Sequence, residues 1–331
     1  MTDRQSIAII IPVYNEEAVL PALIEQLNEF RSSRPVIDNI IFVDDGSEDN
    51  SAEIICELTA GTSGYTLLRL SRNFGHQLAI TAGINAATAD AAVIMDADLQ
   101  DPLHVLDDMI LEWQNGYDVV YGIREDRHGE SFLKKKTAEL FYSVFKKVAN
   151  IDAPRNVGDF RLVSRKVMDA FAQIREQQPF VRGLMSWVGF RQTGVTYTRP
   201  ERAAGRSKYS FRKSWNLAID GIISFSDRPL RYAVRLGLLV STLSILGLVW
   251  IVAEKFFDSG TIPGWASIIF AAFFFGGLQL FFLGIVGEYL ARVYAEVKGR
   301  PRYIVMEKWY SDDAERRVTG DRDFQPATSP Q

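Results

Sequence analysis

Three carboxylates follow a short apolar run in the stretch VIMDADLQDP, residues 93–102. Residues two apart in a strand face the same way, so Asp96 and Asp98 can both point into one crevice. Two bare carboxylates this close repel, and either a shared proton or a hard divalent cation such as Mg²⁺ or Mn²⁺ would relieve the repulsion. Such a cation could also bind a diphosphate. The chemistry therefore suits a departing nucleoside diphosphate, whose developing charge the metal stabilises.

A D-x-D pattern alone is a weak signal, because the chain repeats it at Asp321 and Asp323, where we assign it no function. An earlier predicted strand ends in VDDGSEDNS, with Asp44 and Asp45. A strand-end carboxylate can accept hydrogen bonds from a ribose hydroxyl or a base N–H, although Asp, Gly and Ser also form plain turns and helix caps. Neither G-x-G-x-x-G after the first strand nor a P-loop lysine motif occurs, which disfavours dinucleotide oxidoreductases and P-loop kinases.

The order of elements from residue 7 to about 123 decides where these side chains should lie. Strand-like apolar runs such as IAIIIPVY alternate with helix-spaced apolar residues, as in EAVLPALIEQLNEF. This alternation predicts an α/β fold with a mainly parallel sheet covered on both faces. Ligands of such sheets bind beyond the carboxyl ends of the strands, which is where the carboxylates lie.

Composition excludes several classes of function. The net charge is −4, so no overall field favours nucleic acid as a partner. Cys56 is the one cysteine of the 331 residues, which rules out an internal disulfide. The histidines His76, His104 and His128 form no zinc pattern, and each is interpreted as a surface or hydrogen-bonding residue.

Two uncharged apolar segments, 236–253 and 265–286, are each long enough to cross a bilayer core, which takes about 20 residues. A buried helical hairpin of a soluble protein is the alternative. Basic residues flank the pair on both outer sides, so the positive-inside rule places both ends of the chain in the cytoplasm. Between the halves, the stretch from Arg199 to Arg235 contains nine basic residues and three acidic ones, and its apolar residues recur at helical spacing. We interpret this stretch as an amphipathic helix on the membrane surface, with a solvated linker as the alternative.

Six motifs, taken in order, resemble those of a known family: IIPVYNEE, VDDGSEDNS, LSRNFGHQLAITAGI, MDADLQDP, NVGDFRLVSRKV and AGRSKYSFRKSWNLAIDGIISFS. They look like a GT-A-type glycosyltransferase acting on polyprenyl phosphate, in the wider group of dolichol-phosphate mannose synthases. The NVGDFRL stretch and the paired spans make the chain most similar to bactoprenol (undecaprenyl-phosphate) glucosyltransferases. The resemblance covers roughly residues 5 to 305 and is more specific to the family than to the sugar.

The resemblance implies a reaction and its participants. A UDP-sugar would donate a hexose, with glucose the first choice, to undecaprenyl phosphate, and the anomeric carbon would be inverted. The enzyme would be a homotetramer in the bacterial inner membrane. We expect a cytoplasmic Rossmann-like GT-A domain over 1–205, a basic amphipathic juxtamembrane segment over 206–230, a two-span hairpin over 231–290 and a cytoplasmic tail over 291–331. The tail is predicted to be polar and disordered from Asp312.

The resemblance also implies site residues by matching motifs. Those expected to bind the nucleotide sugar are Pro12, Tyr14, Glu16 and Asp45, together with Asp96, Gln100 and Arg124, the last through phosphate. Those expected to hold the divalent cation are Asp98, Asp96 and Gln100. Those expected to bind the acceptor phosphate are Arg206 and Lys208. Asp159 would face the reacting centre as a catalytic residue beside Asp98 and Asp96.

The role of Asp159 can be narrowed by elementary chemistry. A phosphate monoester has a second pKa of about 6, so the acceptor is already a nucleophile at neutral pH and needs no strong base. We therefore expect Asp159 to position groups or to stabilise positive charge at the anomeric carbon. A purely structural salt bridge from Asp159 to Arg161 or Arg165 is the alternative.

Other functions remain open on the sequence. A processive polysaccharide synthase would need more spans and a Q-x-x-R-W stretch, which QQPFVRGLMSW does not match in spacing. Transfer of N-acetylglucosamine, an aminoarabinose derivative or mannose to the same lipid fits most motifs. A non-catalytic membrane scaffold that binds a nucleotide sugar is the alternative outside enzymes.

Overall fold

The computed structural model describes residues 5–125, 157–198, 228–257 and 264–319. The described residues form two compact units. A sheet unit holds the chain up to residue 198 and again from Arg300 onwards, and a helical unit holds residues 228–257 and 264–299.

The sheet unit contains a single nine-stranded sheet among its described residues. The strands are β1 Ile7–Val13, β2 Ile37–Asp44, β3 Tyr65–Leu70, β4 Ala91–Ile94, β5 Val119–Arg124, β6 Val157–Ser164, β7 Gln192–Tyr197, β8 Val305–Tyr310 and β9 Asp313–Thr319. The helices of this unit are α1 Leu20–Ser32, α2 Ser51–Thr59, α3 His76–Ala86, α4 Val105–Gln114, α5 Arg165–Ala172 and α6 Val181–Trp187.

The sheet is mixed, with strand order β7-β5-β6-β4-β1-β2-β3-β8-β9. The central strands β4, β1, β2 and β3 run parallel, as do β5 and β7. The remaining four neighbouring pairs are antiparallel. The α/β fold class is therefore confirmed. The predicted mainly parallel pairing holds for the central strands, but half of the neighbouring pairs in the whole sheet are antiparallel.

Hydrophobicity explains the central strands. All seven residues of β1 are buried, without polar alternation, because helices cover both faces of a parallel sheet. On α1 the predicted apolar stripe is buried, and it consists of Leu20, Leu23, Ile24, Leu27 and Phe30. Helix α3 lies close against β1, since a Cβ on Gly83 would collide with the side chain of Ile10.

Strand β6 enters the sheet out of chain order. It lies antiparallel between β4 and β5, with Ile94 opposite Arg161 and Val120 opposite Leu162. Asp96 follows the end of β4, and Asp159 lies near the start of β6. The sequence did not predict this insertion, because local hydrophobic periodicity does not encode which strands become neighbours.

The C-terminal part of the sheet unit corrects two predictions. Strand β8 pairs with β3, and its Trp309 is buried in the core, so the chain after residue 300 is not a separate tail. Disorder from Asp312 is wrong for Asp313–Thr319, which pairs with β8 as strand β9. The physical reason is that β8 satisfies the backbone groups along the otherwise exposed edge of β3.

The helical unit consists of two long helices, α7 Arg228–Phe257 and α8 Trp265–Val297. By length and composition, the stretches Leu230–Gly247 and Ala271–Val297 could cross a membrane. Among the residues of these stretches whose burial the structure describes, none is buried, which differs from the packing of a buried hairpin. With 33 residues, α8 is about 50 Å long, more than the ~30 Å of a bilayer core. The predicted amphipathic segment at 206–230 lies outside the described residues up to 227.

Replacing Trp309 tests the C-terminal strand. We expect Trp309→Ala to lower the free energy of unfolding of the sheet unit by about 3–5 kcal/mol, because a large buried ring is removed from the core. Met306→Ala, at an exposed position of the same strand, is the matched control and should change it by less than about 1 kcal/mol. Urea unfolding with hydrogen exchange read at β3 measures both. Equal losses in the two variants would contradict the assignment of β8 to the core.

Candidate active site

Two carboxylates, Asp96 and Asp159, lie near one histidine where β4 ends. Asp159 lies on β6 and is 3% exposed, whereas the Asp96 side chain is 28% exposed. Like charges that lie close together in a partly buried site repel. Burial raises the pKa of Asp96, and the nearby His76 opposes that rise. The site therefore requires positive groups between or beside these carboxylates.

His76 is one of these groups. Its Nε2 lies 3.3 Å from an Asp159 oxygen and 3.5 Å from an Asp96 oxygen. Although burial acts to lower the pKa of His76, the hydrogen bond with Asp159 and the charge of Asp96 raise it above its ordinary value. His76 is an exposed, hydrogen-bonding histidine, as the sequence predicted, but the sequence did not indicate that it bridges two of the predicted site residues.

Arg182, on α6, is the second positive group. Its Nε donates to one Asp159 oxygen at 2.9 Å and its Nη2 to the other at 2.8 Å, a two-pronged pair that fixes the plane of the carboxylate. Burial acts to raise the pKa of Asp159, but the hydrogen bonds from His76 and Arg182 hold it well below its usual range. Asp159 is thus a permanent anion in the neutral pH range.

Neither arginine suggested by the sequence forms the salt bridge with Asp159. Arg161 donates instead to the backbone carbonyls of Gly158, at 2.7 Å, and Asp159, at 3.3 Å. Arg165 donates to backbone carbonyls after α3 and pairs with Asp169 at 3.7 Å. Arg161 lies on β6 itself and is buried, and Arg165 follows the end of that strand at Ser164. Arg182 was missed because it stands in a stretch rejected for its spacing.

The turn that carries the D-x-D pattern has an unusual backbone. Leu99 lies in the left-handed region at φ 57°, which an L side chain rarely adopts. The backbone N–H of Gln100 donates to Asp98 at 3.2 Å, and that of Asp96 donates to Asp101 at 3.1 Å. These bonds hold the strained turn, and strain of this kind concentrates at functional sites.

A hydrogen-bonded chain ties this turn to Arg124. The Arg124 Nε donates to the Tyr197 hydroxyl at 3.1 Å, and that hydroxyl donates to Asp101 at 3.0 Å. Burial and the charge of Asp96 raise the pKa of Asp101 to about 6. Gly158 leaves room for the Arg124 guanidinium, which a Cβ there would meet. Arg124 therefore lies beside the aspartates, as the predicted phosphate contact requires, and Tyr197 is a further residue that the sequence did not reveal.

The loops after β1 and β2 form a second part of the site. Pro12 pairs with Val43 near the strand ends, and Tyr14 is 38% exposed just beyond. The backbone N–H of Glu16 donates to Ser51 at 2.9 Å. Asn15, at φ 54°, accepts from Glu48 and donates to Ser47 through its backbone N–H. The predicted nucleotide-binding residues of the first loop are thereby held against the second loop.

Asp45 connects this part to the carboxylate pair. It is 3% exposed, and its two oxygens accept the backbone N–H groups of Phe74 at 2.7 Å and Gly75 at 2.9 Å. Burial raises the pKa of Asp45, which these hydrogen bonds oppose. Gly75 takes φ 103° before α3 begins at His76, and Gly46 fits tightly against the Arg72 backbone. Asp45 therefore orders the segment that carries His76.

The donor set fits a hard cation in part. No group of three or more His, Cys, Asp or Glu side chains that could hold a metal occurs within the described ranges. Asp96, Asp98 and the Gln100 amide offer oxygen ligands from one turn. Mg²⁺ is usually bound through one or two carboxylates plus substrate phosphates, so this set suits a cation that arrives with a diphosphate.

The structure thus brings Asp96, Asp98, Gln100, Arg124 and Asp159 to one end of the central strands. The roles assigned to these residues, and to Pro12, Tyr14, Glu16 and Asp45, stay predictions. Arg206 and Lys208, expected to bind the acceptor phosphate, lie outside the described residues.

Comparison with known proteins identifies relatives. The model of Glycosyl transferase family 2 matches residues 8–171. An uncharacterized glycosyltransferase of Bacillus subtilis, YkcC, is 45% identical over 91% of this chain and 94% of its own length. The bactoprenol glucosyl transferase of Shigella phage SfII is 40% identical over 90% of this chain and 97% of its own length.

Among solved structures, one similar protein is glucosyl-3-phosphoglycerate synthase from Mycobacterium tuberculosis, in complex with Mn²⁺, uridine diphosphate and phosphoglyceric acid. The TM-score is 0.50 at 15% identity, over 66% of this chain and 76% of that one. At this identity the similarity concerns the fold alone.

The raised pKa of Asp101 makes stability depend on pH. The ordinary value of 3.8 applies to the unfolded chain and about 6 to the folded one. Between these values the folded protein binds more protons, so the free energy of unfolding falls as pH rises through this window. For one such group the difference is ~3 kcal/mol.

We expect Asp101→Asn to remove this loss, so that the variant gains ~3 kcal/mol relative to the wild type between pH 4 and pH 7. Exposed Asp108→Asn on α4 is the matched control. Urea unfolding at both pH values measures the difference, and parallel pH profiles of the Asp101 variant and the wild type would refute it.

Proposed function

Because this chain belongs to glycosyltransferase family 2, we propose that it transfers a hexose, glucose, from a UDP-sugar to undecaprenyl phosphate with inversion of the anomeric carbon. The product is a membrane-bound sugar-phosphate lipid. The observation that carries this proposal is the 40% identity, over 90% of the chain, to the bactoprenol glucosyl transferase of phage SfII. The relatives' name gives the acceptor and the sugar, and the site supplies chemistry that fits both.

The donor fits the loops after β1 and β2. Pro12, Tyr14, Glu16 and Asp45 contact the nucleotide in this proposal. The hydrogen bonds that join the two loops support this role, because loops that are already ordered lose less conformational entropy when they bind a ligand. Arg124 contacts the diphosphate, next to the D-x-D turn to which Tyr197 ties it.

A divalent cation, Mg²⁺ or Mn²⁺, is held by Asp98, Asp96 and Gln100. When bound, it stabilises the negative charge of the departing diphosphate. The likeness to a fold neighbour crystallised with Mn²⁺ and uridine diphosphate is consistent with this assignment. Asp96, Asp98 and Gln100 stand on one short segment, which includes the left-handed residue Leu99.

The acceptor needs no deprotonation, because its phosphate is anionic at neutral pH. Asp159 therefore serves as a fixed anion that stabilises positive charge at the anomeric carbon, consistent with its depressed pKa. Arg206 and Lys208 bind the acceptor phosphate. Attack on the face opposite to the departing diphosphate gives the inverted, β-linked product.

The acceptor also explains the helical unit. A lipid phosphate lies at a bilayer surface, and the stretches Leu230–Gly247 and Ala271–Val297 are apolar enough to anchor the enzyme there. In this proposal they cross the bacterial inner membrane, the segment 206–230 lies on its surface, and both termini face the cytoplasm by the positive-inside rule. Assembly as a homotetramer is a prediction from the resemblance.

One transfer assay tests the proposal. The purified full-length protein is incubated with undecaprenyl phosphate and labelled UDP-glucose, UDP-N-acetylglucosamine, UDP-aminoarabinose derivative or GDP-mannose, with and without EDTA. We expect label from UDP-glucose to enter the lipid phase and EDTA to abolish it, because the cation is needed for the leaving group. If label from another sugar nucleotide entered the lipid instead, that sugar would replace glucose in the proposal. Saturable binding of the UDP-sugar without turnover would favour a non-catalytic membrane scaffold.

The roles proposed for Asp98 and Asp159 predict different losses of activity when each is replaced by asparagine. Asp98→Asn should reduce kcat by about 10³-fold or more, because it removes a direct ligand of the cation that stabilises the leaving group. Asp159→Asn should leave more activity, because its role is positional and electrostatic. Steady-state kinetics with saturating donor and added Mn²⁺ measure both variants. Equal and complete loss in both would count against the positional role.

A further inference from the structure

Asp159 is oriented by two side chains for which the proposed reaction has no assigned role. Arg182 contacts both of its oxygens, at 2.9 and 2.8 Å. His76 approaches one of those oxygens from another element, at 3.3 Å. A carboxylate that is held by a fork and by a third donor has one rotational setting, so its remaining lone pairs point in a fixed direction.

The two positive groups are themselves fixed to each other. The backbone N–H of Val181, the residue before Arg182, donates to the Gln77 side-chain oxygen at 2.9 Å. Gln77 follows His76 at the start of α3. Val181 is fully buried, so this bond between α3 and α6 lies in a rigid part of the sheet unit. A shift of either helix start would therefore move both groups that hold Asp159.

His76 also relates Asp159 to the rest of the site. Its Nε2 lies 3.5 Å from Asp96, and the two preceding backbone N–H groups are held by Asp45. A continuous set of contacts thus runs from the carboxylate expected at the nucleotide, through residues 74–76, to the carboxylate expected at the reacting centre.

We propose that Arg182 and His76 are positioning residues of the transfer reaction, which act by fixing the orientation of the Asp159 carboxylate. Arg182 is the stronger of the two, because its guanidinium alone contacts both oxygens. The inference rests on the proposed function, since it names residues that serve the same site. It differs from a purely structural salt bridge in predicting an effect on turnover that disappears when Asp159 is changed.

A double-mutant cycle tests this inference. Arg182→Ala should lower kcat by about 10²-fold, because a displacement of the Asp159 carboxylate by ~1 Å has an effect of this size. The KM for the UDP-sugar should be nearly unchanged. Arg182→Lys, which keeps the charge but loses the fork, should be intermediate. The double variant Asp159→Asn/Arg182→Ala should lie within about threefold of Asp159→Asn alone, because residues that act as a unit are not additive. His76→Gln, which retains an N–H donor, should show a smaller loss than Arg182→Ala.

The controls separate the possible failures. Arg191→Ala removes the same charge from an exposed guanidinium that lies 4.9 Å over the Tyr117 ring, and it should keep wild-type turnover. Calorimetric binding of UDP by every variant reports folding, and Arg182→Lys serves where Arg182→Ala does not fold. Additive losses in the cycle, or a raised KM for undecaprenyl phosphate with unchanged kcat, would overturn the inference. A wild type without turnover on any sugar refutes the proposed function instead.

Discussion

The arrangement of this site depends on one electrostatic constraint, the presence of the Asp96 and Asp159 carboxylates close to a single histidine. Two carboxylates in such a partly buried site repel each other unless positive groups offset their charges. His76 contacts both carboxylates, and Arg182 contacts Asp159. The starts of α3 and α6 supply these two positive groups.

The constraint follows from the position of β6. A strand from beyond residue 156 enters antiparallel between β4 and β5, and only this order brings Asp159 to the end of β4. The mixed sheet therefore determines which residues meet at the site as well as the fold.

The relatives and the geometry of the site bear on different questions. The comparisons establish glycosyltransferase family 2, and several relatives are named bactoprenol glucosyl transferases. The structure adds that the Asp159 carboxylate is buried and that hydrogen bonds from His76 and Arg182 hold its pKa well below the usual range. Such a carboxylate suits the stabilisation of positive charge and is a weak base for proton abstraction.

The sequence by itself determined the parts that depend on local pattern: the strand–helix alternation, the buried stripe of α1, the two apolar helices and the aspartates at strand ends. It also led to the family, since its motifs are short and contiguous. The tertiary structure alone decided that β6 enters the sheet beside β4, that His76, Arg182 and Tyr197 join the site, and that β8 completes the sheet. These features depend on pairs far apart in the chain, such as Arg124 and Tyr197, 73 residues apart, or Tyr65 and Ser311, 246 residues apart. Hydrophobic periodicity reports which face of an element is buried, but it carries no information on which distant element will cover that face.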